Sequence, residues 1–247
     1  MTICYSSRTK GGPDPMPRKK TVVLSFFASA LLICSTLPVL GADKTKDEET
    51  IRNATTVLQA MVSSKDVPAG VLAKADCIIV LPSVKKFAVG IGGSGGRGPM
   101  TCRMGQNFTG KWSPPAMYSI GGASAGLQLG GTATDYVLVI LSSGAVEKML
   151  NGKVKVGNDV TAAAGPGASA GNAVGGADIL TYSRTSGLFA GVSLNGASLS
   201  PDSDANQRLY DKSVSATVIV HGGDVTATPA GASFAGLLNS KVPRHAQ

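Results

Sequence analysis

The chain has 247 residues, of which 43% are hydrophobic and 15% charged, with 32 glycines and a net charge of +8. That much apolar material suits one domain with a core, or one domain plus a leader, and excludes a disordered chain. A nucleic-acid partner is also excluded: no basic run interleaves with aromatics, and Trp112 is the only tryptophan.

Residues 1–15 read as an upstream extension. Met16 then precedes Pro17-Arg18-Lys19-Lys20, an apolar run over 21–40 and the small residues Gly41-Ala42. A cationic start, an apolar stretch and a small residue at its end form the layout of a secretory signal peptide, cleaved near Ala42. A retained membrane helix is the alternative, because the run approaches spanning length. Bulky Ile33 before Cys34 argues against lipidation. The expected organisation is therefore 1–42 as extension and signal peptide, and 43–247 as a single domain with its core over about 50–235. Taking Arg8, Lys10, Arg18, Lys19, Lys20 and Asp14 from the 23 cations and 15 anions of the chain leaves 18 and 14, a net charge of +4. A mildly basic exported domain is compatible with an anionic membrane surface. The expected location is the periplasm or the outer membrane.

Ile51, Ala54, Leu58, Met61 and Val62 recur at helical spacing, which predicts a helix over 51–62 packed on the rest of the domain. Acidic Asp47, Glu48 and Glu49 suit its N-terminus. Pro68 starts a second short helix. Residues 77–81 read as a buried strand, with Lys85 and Lys86 in the turn after it. The run 87–91 is the next strand and leads into the glycine-rich stretch 90–98, which holds Arg97. Further strands are expected over 100–104, 107–112, 117–120, 125–129 and 136–141. A short helix over 146–150 follows, then strands over 153–156, 179–182, 188–194, 214–220 and 225–227. Residues after about 235 read as a loose tail. Many short strands at close spacing predict a mainly β, α+β fold: an antiparallel sheet or barrel-like body with N-terminal helices packed on it.

Enzyme chemistry finds little support. Gly-x-Ser-x-Gly occurs at 92–96, 122–126 and 167–171, but a hydrolase elbow needs a strand–turn–helix setting and a histidine. His221 and His245 are the only histidines. Gly90-Ile91-Gly92-Gly93-Ser94-Gly95 matches a dinucleotide fingerprint by letter, but Gly96, Gly98 and Pro99 leave no helix after it. Asp202-Ser203-Asp204-Ala205-Asn206 imitates half a calcium loop but lacks the glycine and the bidentate glutamate, and reads as a solvated turn. No enzyme, metal or cofactor is expected. After leader removal Cys77 and Cys102 remain. An oxidising setting allows a disulfide between neighbouring strands, and two buried free thiols are the alternative.

The stretch 182–199 is the most organised. Leu188, Ala190, Val192 and Leu194 alternate with Phe189, Gly191, Ser193 and Asn195, the period of a strand with one apolar face. Tyr182, Ser183, Arg184, Gly187, Leu188, Phe189 and Gly191 resemble the signature of the SYLF domain family, which binds lipids and occurs in exported bacterial proteins and in eukaryotic membrane and cytoskeletal adaptors. Leu81-Pro82-Ser83-Val84-Lys85-Lys86, the 90–98 glycine run, Trp112-Ser113-Pro114-Pro115, Gly126-Leu127-Gln128-Leu129-Gly130, Gly165-Pro166, Asn206 and Tyr210 agree with it in order. The family's basic residue after Gly-Pro is absent here. The resemblance implies a non-catalytic lipid-binding domain, with phosphatidylinositol-type head groups bound by eukaryotic members and actin by some. The expected partner is an anionic lipid or membrane surface, with Lys85, Lys86, Arg97 and Arg184 attracting head groups. Acyl chains would meet either the 51–62 helix or the region of Phe189. An envelope module that binds a protein instead is the alternative.

Overall fold

In the computed structural model, Cys77–Val89 forms one long strand, β1, that runs straight through Pro82-Ser83. Lys85 and Lys86 therefore lie inside a strand, not in a turn after it. The step is a bulge. Leu81 and Val84 of β1 face Tyr136 and Thr134 of the neighbouring strand Gly130–Ile140, so β1 carries one residue more than that neighbour. A bulge tolerates proline and a residue in the left-handed region. Ser83 has φ of 51° and donates its N–H to Asp135 Oδ1 at 2.8 Å.

The structure describes residues 40–89, 91–125, 130–157, 159, 162–164, 177–185, 188–189, 194, 196–222 and 225–242, all within the compact unit Pro38–Gln247. The leader and cleavage region up to residue 39 lies outside them, as do Gly187 and Gly191. Of Phe189, only the backbone is described.

The glycine run is strand β2, Ile91–Cys102. Its register with β1 sets Cys77 opposite Cys102 and Lys85 opposite Gly95. Glycine is required at 98, where an added Cβ would collide with the Val80 carbonyl oxygen. Then follow β3 (Ala116–Ala125), β4 (Gly130–Ile140), β5 (Val154–Lys155), β6 (Ala162–Ala164), β7 (Ile179–Thr185), β8 (Leu188–Phe189) and β9 (Ser198–Pro201). The sheet order is β5-β9-β3-β2-β1-β4-β7-β6, with β8 paired to β7. Among the described residues every pairing is antiparallel except β6 with β7, and the sheet curls as a half-barrel. The mainly β, α+β reading holds, although the central strands are long and not short.

Alternation along the strands makes two cores. Cys77, Ile79, Leu81, Met100, Tyr118, Tyr136 and Leu138 face one side, under α3 (Ser143–Asn151) and α5 (Ala216–Val220). Ile78, Val80, Met117, Val137, Val139, Leu180 and Tyr182 face the other. They meet α1 (Leu40–Ser63), α2 (Ala69–Leu72), α4 (Ser203–Tyr210) and α6 (Pro229–Lys241). Ile51, Ala54, Leu58 and Met61 of α1 are all buried, so this face of the helix packs on the sheet. Because α1 starts at Leu40, Asp47–Glu49 sit within it and not at its N-terminus.

Several expected elements differ. Residues 216–220 are helix because Ser215 caps them, its Oγ accepting from Val218 N–H at 3.3 Å. Residues 107–112 hold no strand: a 3-10 turn spans Gln106–Phe108, and only Arg103 and Trp112 bridge. Residues 225–227 lie outside any strand and lead into the Thr228 cap of α6. The expected tail after 235 is instead α6, with Phe234, Leu238 and Val242 buried. Asp202 starts a helix, not a solvated turn, and its Oδ1 accepts from Ala205 N–H at 3.0 Å. Cys77 and Cys102 are bonded, with Cα atoms 4.0 Å apart, the close spacing of a cross-strand pair without backbone hydrogen bonds.

Candidate functional site

The four cations proposed from sequence lie on three strands. Lys85 pairs with Gly95 and Ala133, and Lys86 with Ser94 and Thr132. Neighbouring residues of a strand point to opposite faces. Lys86 takes the Tyr136 side, its Nζ 5.7 Å from the ring centroid, a distance that permits a weak cation–π contact. Lys85 takes the α1-bearing side and is exposed. Neither lysine has a carboxylate partner among the described residues.

Arg97 and Arg184 are placed otherwise. Arg97 donates from Nη2 to Asp47 Oδ1 and from Nε to Asp202 Oδ2, both at 2.7 Å. Arg184 Nε lies 3.0 Å from Asp66 Oδ2, just past the end of α1. Both arginines thus join the sheet to the α1 layer, one at β2 and one at β7. Phe189 faces Arg184 across the β7–β8 pair.

Sequence reading missed the centre of this arrangement. Asp47 is fully buried and also accepts from Arg208 Nε at 2.7 Å and Nη2 at 3.2 Å. The Asp47 hydrogen bond, with the neighbouring Asp202 and Asp43 charges, raises the Arg208 pKa above its ordinary value against the opposing effect of burial. A buried charge is tolerated when it is paired and hydrogen-bonded, and here both oxygens of Asp47 are taken. The available signal was acidic Asp47 among the polar positions of a helix with two arginines elsewhere, which no local pattern connects.

A second missed centre surrounds Trp112. Its ring is buried and carries the Arg103 guanidinium 4.6 Å from the centroid. Arg103 Nε donates to the Ala75 carbonyl at 3.3 Å. Burial lowers the Arg103 pKa, and the Asp76 charge opposes this. Asn239 of α6 accepts from the Trp112 backbone N–H at 3.1 Å. These residues, with Thr109–Lys111 and Val242, line a pocket of about 400 Å³.

The tested chemistries can be located. Ser94 and Ser124 lie within β2 and β3, not at a strand-to-helix elbow, and Ser169 is outside the described residues. His221 ends α5, exposed, with Nδ1 2.9 Å from the Thr217 carbonyl. Among the described residues no cluster of three His, Cys, Asp or Glu could hold a metal, and no helix is long and apolar enough to cross a membrane. Burial raises the pKa of Tyr118, Tyr210 and Tyr182, the last to about 12.

Residues 121–241, from β3 through α6, match the Ysc84 family, described as "Las17-binding protein actin regulator". SH3 domain-containing protein PJ696.02 of Schizosaccharomyces pombe is 34% identical over 192 residues, covering 74% of this chain and 43% of that protein. SH3 domain-containing YSC84-like protein 1 of Homo sapiens is 32% identical over 188 residues, 74% of this chain and 54% of the other. LAS seventeen-binding protein 3 of Saccharomyces cerevisiae is 29% identical over 171 residues, 66% of this chain and 36% of the other. The chain spans about half the length of the curated relatives it matches.

Proposed function

This chain belongs to the Ysc84 (SYLF) domain family, and from that premise we propose that it is an exported, non-catalytic module that binds anionic lipid head groups at a membrane of the bacterial envelope. The observation that carries the reading is the pair Lys85 and Lys86, two cations without carboxylate partners among the described residues. They project from opposite faces at the glycine-lined end of the sheet, so a membrane would meet both by approaching that end. Each such cation near an anionic surface contributes on the order of 1 kcal/mol. Two give weak, salt-sensitive attraction. Arg97 and Arg184 are engaged by carboxylates and serve first to seat α1. Because Ile51, Ala54, Leu58 and Met61 are buried in the core, acyl contact falls to the region of Phe189. The bonded Cys77–Cys102 pair supports an oxidising compartment, in keeping with the signal-peptide layout of the leader.

Co-sedimentation with neutral and anionic liposomes, at low and high salt, tests this. Binding to anionic liposomes alone is expected, weakened by salt and lost in Lys85→Glu/Lys86→Glu. Binding that survives charge reversal and high salt would sink the electrostatic mechanism. The names of the relatives support a second reading, a module that docks a protein partner. Absence of binding to either liposome would favour it.

A further inference from the structure

The pocket beside Trp112 lies away from the basic pair. Arg103 follows Cys102, which faces Cys77 at the start of β1. Lys85 is eight residues further along that strand, roughly 26 Å at about 3.3 Å per residue. Whatever the pocket binds is recognised separately from a membrane surface at Lys85 and Lys86.

Its chemistry is specific. Trp112 and Val242 give apolar surface, both themselves buried. The Arg103 charge is opposed by nearby Asp76. Lys111 is exposed and has no carboxylate partner among the described residues. None of the described lining residues is acidic. The C-terminal turn of α6 adds only a fractional negative charge. One unopposed cation thus faces an apolar wall. Asn239 spends its Oδ1 on the Trp112 backbone, which leaves its amide N–H groups to donate. A volume of about 400 Å³ lies within the range of small-molecule sites.

We infer that this pocket binds a small amphiphilic monoanion, a carboxylate on a short hydrocarbon body, with the carboxylate at Lys111 and the hydrocarbon against Trp112 and Val242. A single unopposed cation matches one negative charge and leaves a dianionic phosphate half-compensated. The free amide N–H groups of exposed Asn239 supply further donors.

Trp112 is the only tryptophan in the chain, so its fluorescence reports on the pocket directly. The full chain is titrated with sodium octanoate below its micellar range, with octanol as the neutral counterpart and inorganic phosphate as competitor. A saturable change in Trp112 emission with octanoate is expected, at least tenfold weaker with octanol and not displaced by phosphate. Lys111→Ala is exposed and should fold normally, and is expected to raise the octanoate midpoint about tenfold. Lys85→Glu/Lys86→Glu should leave it unchanged, which separates this site from liposome binding. No saturable response to octanoate, equal response to octanol, displacement by phosphate, or an unshifted midpoint in Lys111→Ala would each overturn the assignment.

Discussion

The side-chain amide of Asn206 pairs with the backbone of Met117 as a strand would. Met117 N–H donates to Asn206 Oδ1 at 2.7 Å, and Asn206 Nδ2 donates to the Met117 carbonyl at 3.3 Å. Strand β9 ends at Pro201, and the Asp202 N–H reaches the same carbonyl at 2.9 Å. Helix α4 thus continues the edge of β3 with a side chain. Asn206→Leu leaves the Met117 N–H buried and unpaired, which costs roughly 2 kcal/mol. The expected result is a lower urea midpoint with an unchanged slope. An unchanged midpoint would mean that water or another group takes the place of the amide.

Asp47 adds a charged clamp to the apolar contact of α1, holding Arg97 of β2 and Arg208 of α4. Removing its charge leaves Arg208 without its bidentate partner and takes one of the two carboxylates from Arg97. Breaking a buried pair from one side costs about 3–5 kcal/mol. Since Arg97 is 37% exposed, the lower end applies to Asp47→Leu. Adding Arg208→Met should recover part of the loss, because an apolar pair of similar volume is often near neutral and Arg97 keeps Asp202. A double-mutant cycle in denaturant measures this coupling. Strict additivity would show that the clamp contributes nothing as a unit.

Helical spacing made the α1 core face legible in the sequence, and an unbroken apolar run did so for the buried start of β1. The strand expected over 179–182 runs on through Ser183 and Arg184 to Thr185, and most of the alternating row over 188–194 lies outside the described residues. The Cys77–Cys102 bond was an open alternative, decided only by strand register. Glycine hid β2: the 90–98 run carries no strand pattern, yet it is strand, and Gly98 is there so that Val80 can approach. Small residues misled in α6, where Gly231 lets the helix reach Pro115. The β-branched run in α5 reads as strand, and only the Ser215 cap and tertiary packing make it helical. The four candidate cations were legible as charges, but the carboxylate partners of Arg97 and Arg184 were not. Asp47, Asp202 and Asp66 lie 50, 105 and 118 residues from the arginines they meet.

Gly98 and Gly144 separate space from propensity. A Cβ at Gly98 runs into the Val80 carbonyl and the Leu81 Cα beside the β1 bulge, backbone atoms that cannot swing aside as a side chain would. Gly98→Ala is expected to cost more than about 3 kcal/mol, the range reserved for backbone conflicts in a core. A Cβ at Gly144 meets nothing within 4 Å, and the residue is in helix α3, where alanine is the better helix former by up to about 1 kcal/mol. Gly144→Ala should leave Tm unchanged or raise it. Thermal unfolding of the two variants side by side checks both. A mild effect at Gly98 would show that β1 and β2 can part locally at the bulge.

Tyr182 gives the fold an alkaline weakness. Burial raises its folded pKa to about 12, against an unfolded value of about 10. The native state therefore holds its proton where the unfolded chain has released it. Below pH 10 both states are protonated and the full stability is present. Between about pH 10 and 12 the unfolded state ionises first, and stability falls by up to about 2–3 kcal/mol at 1.36 kcal/mol per unit. The hydroxyl has no hydrogen-bond partner among the described residues, so Tyr182→Phe should be near neutral at pH 7 and less sensitive above pH 10 than the unaltered chain. Unfolding midpoints measured from pH 7 to 11.5 for both proteins test the sign. Parallel curves would mean that Tyr182 ionises as readily in the folded state as in the unfolded one.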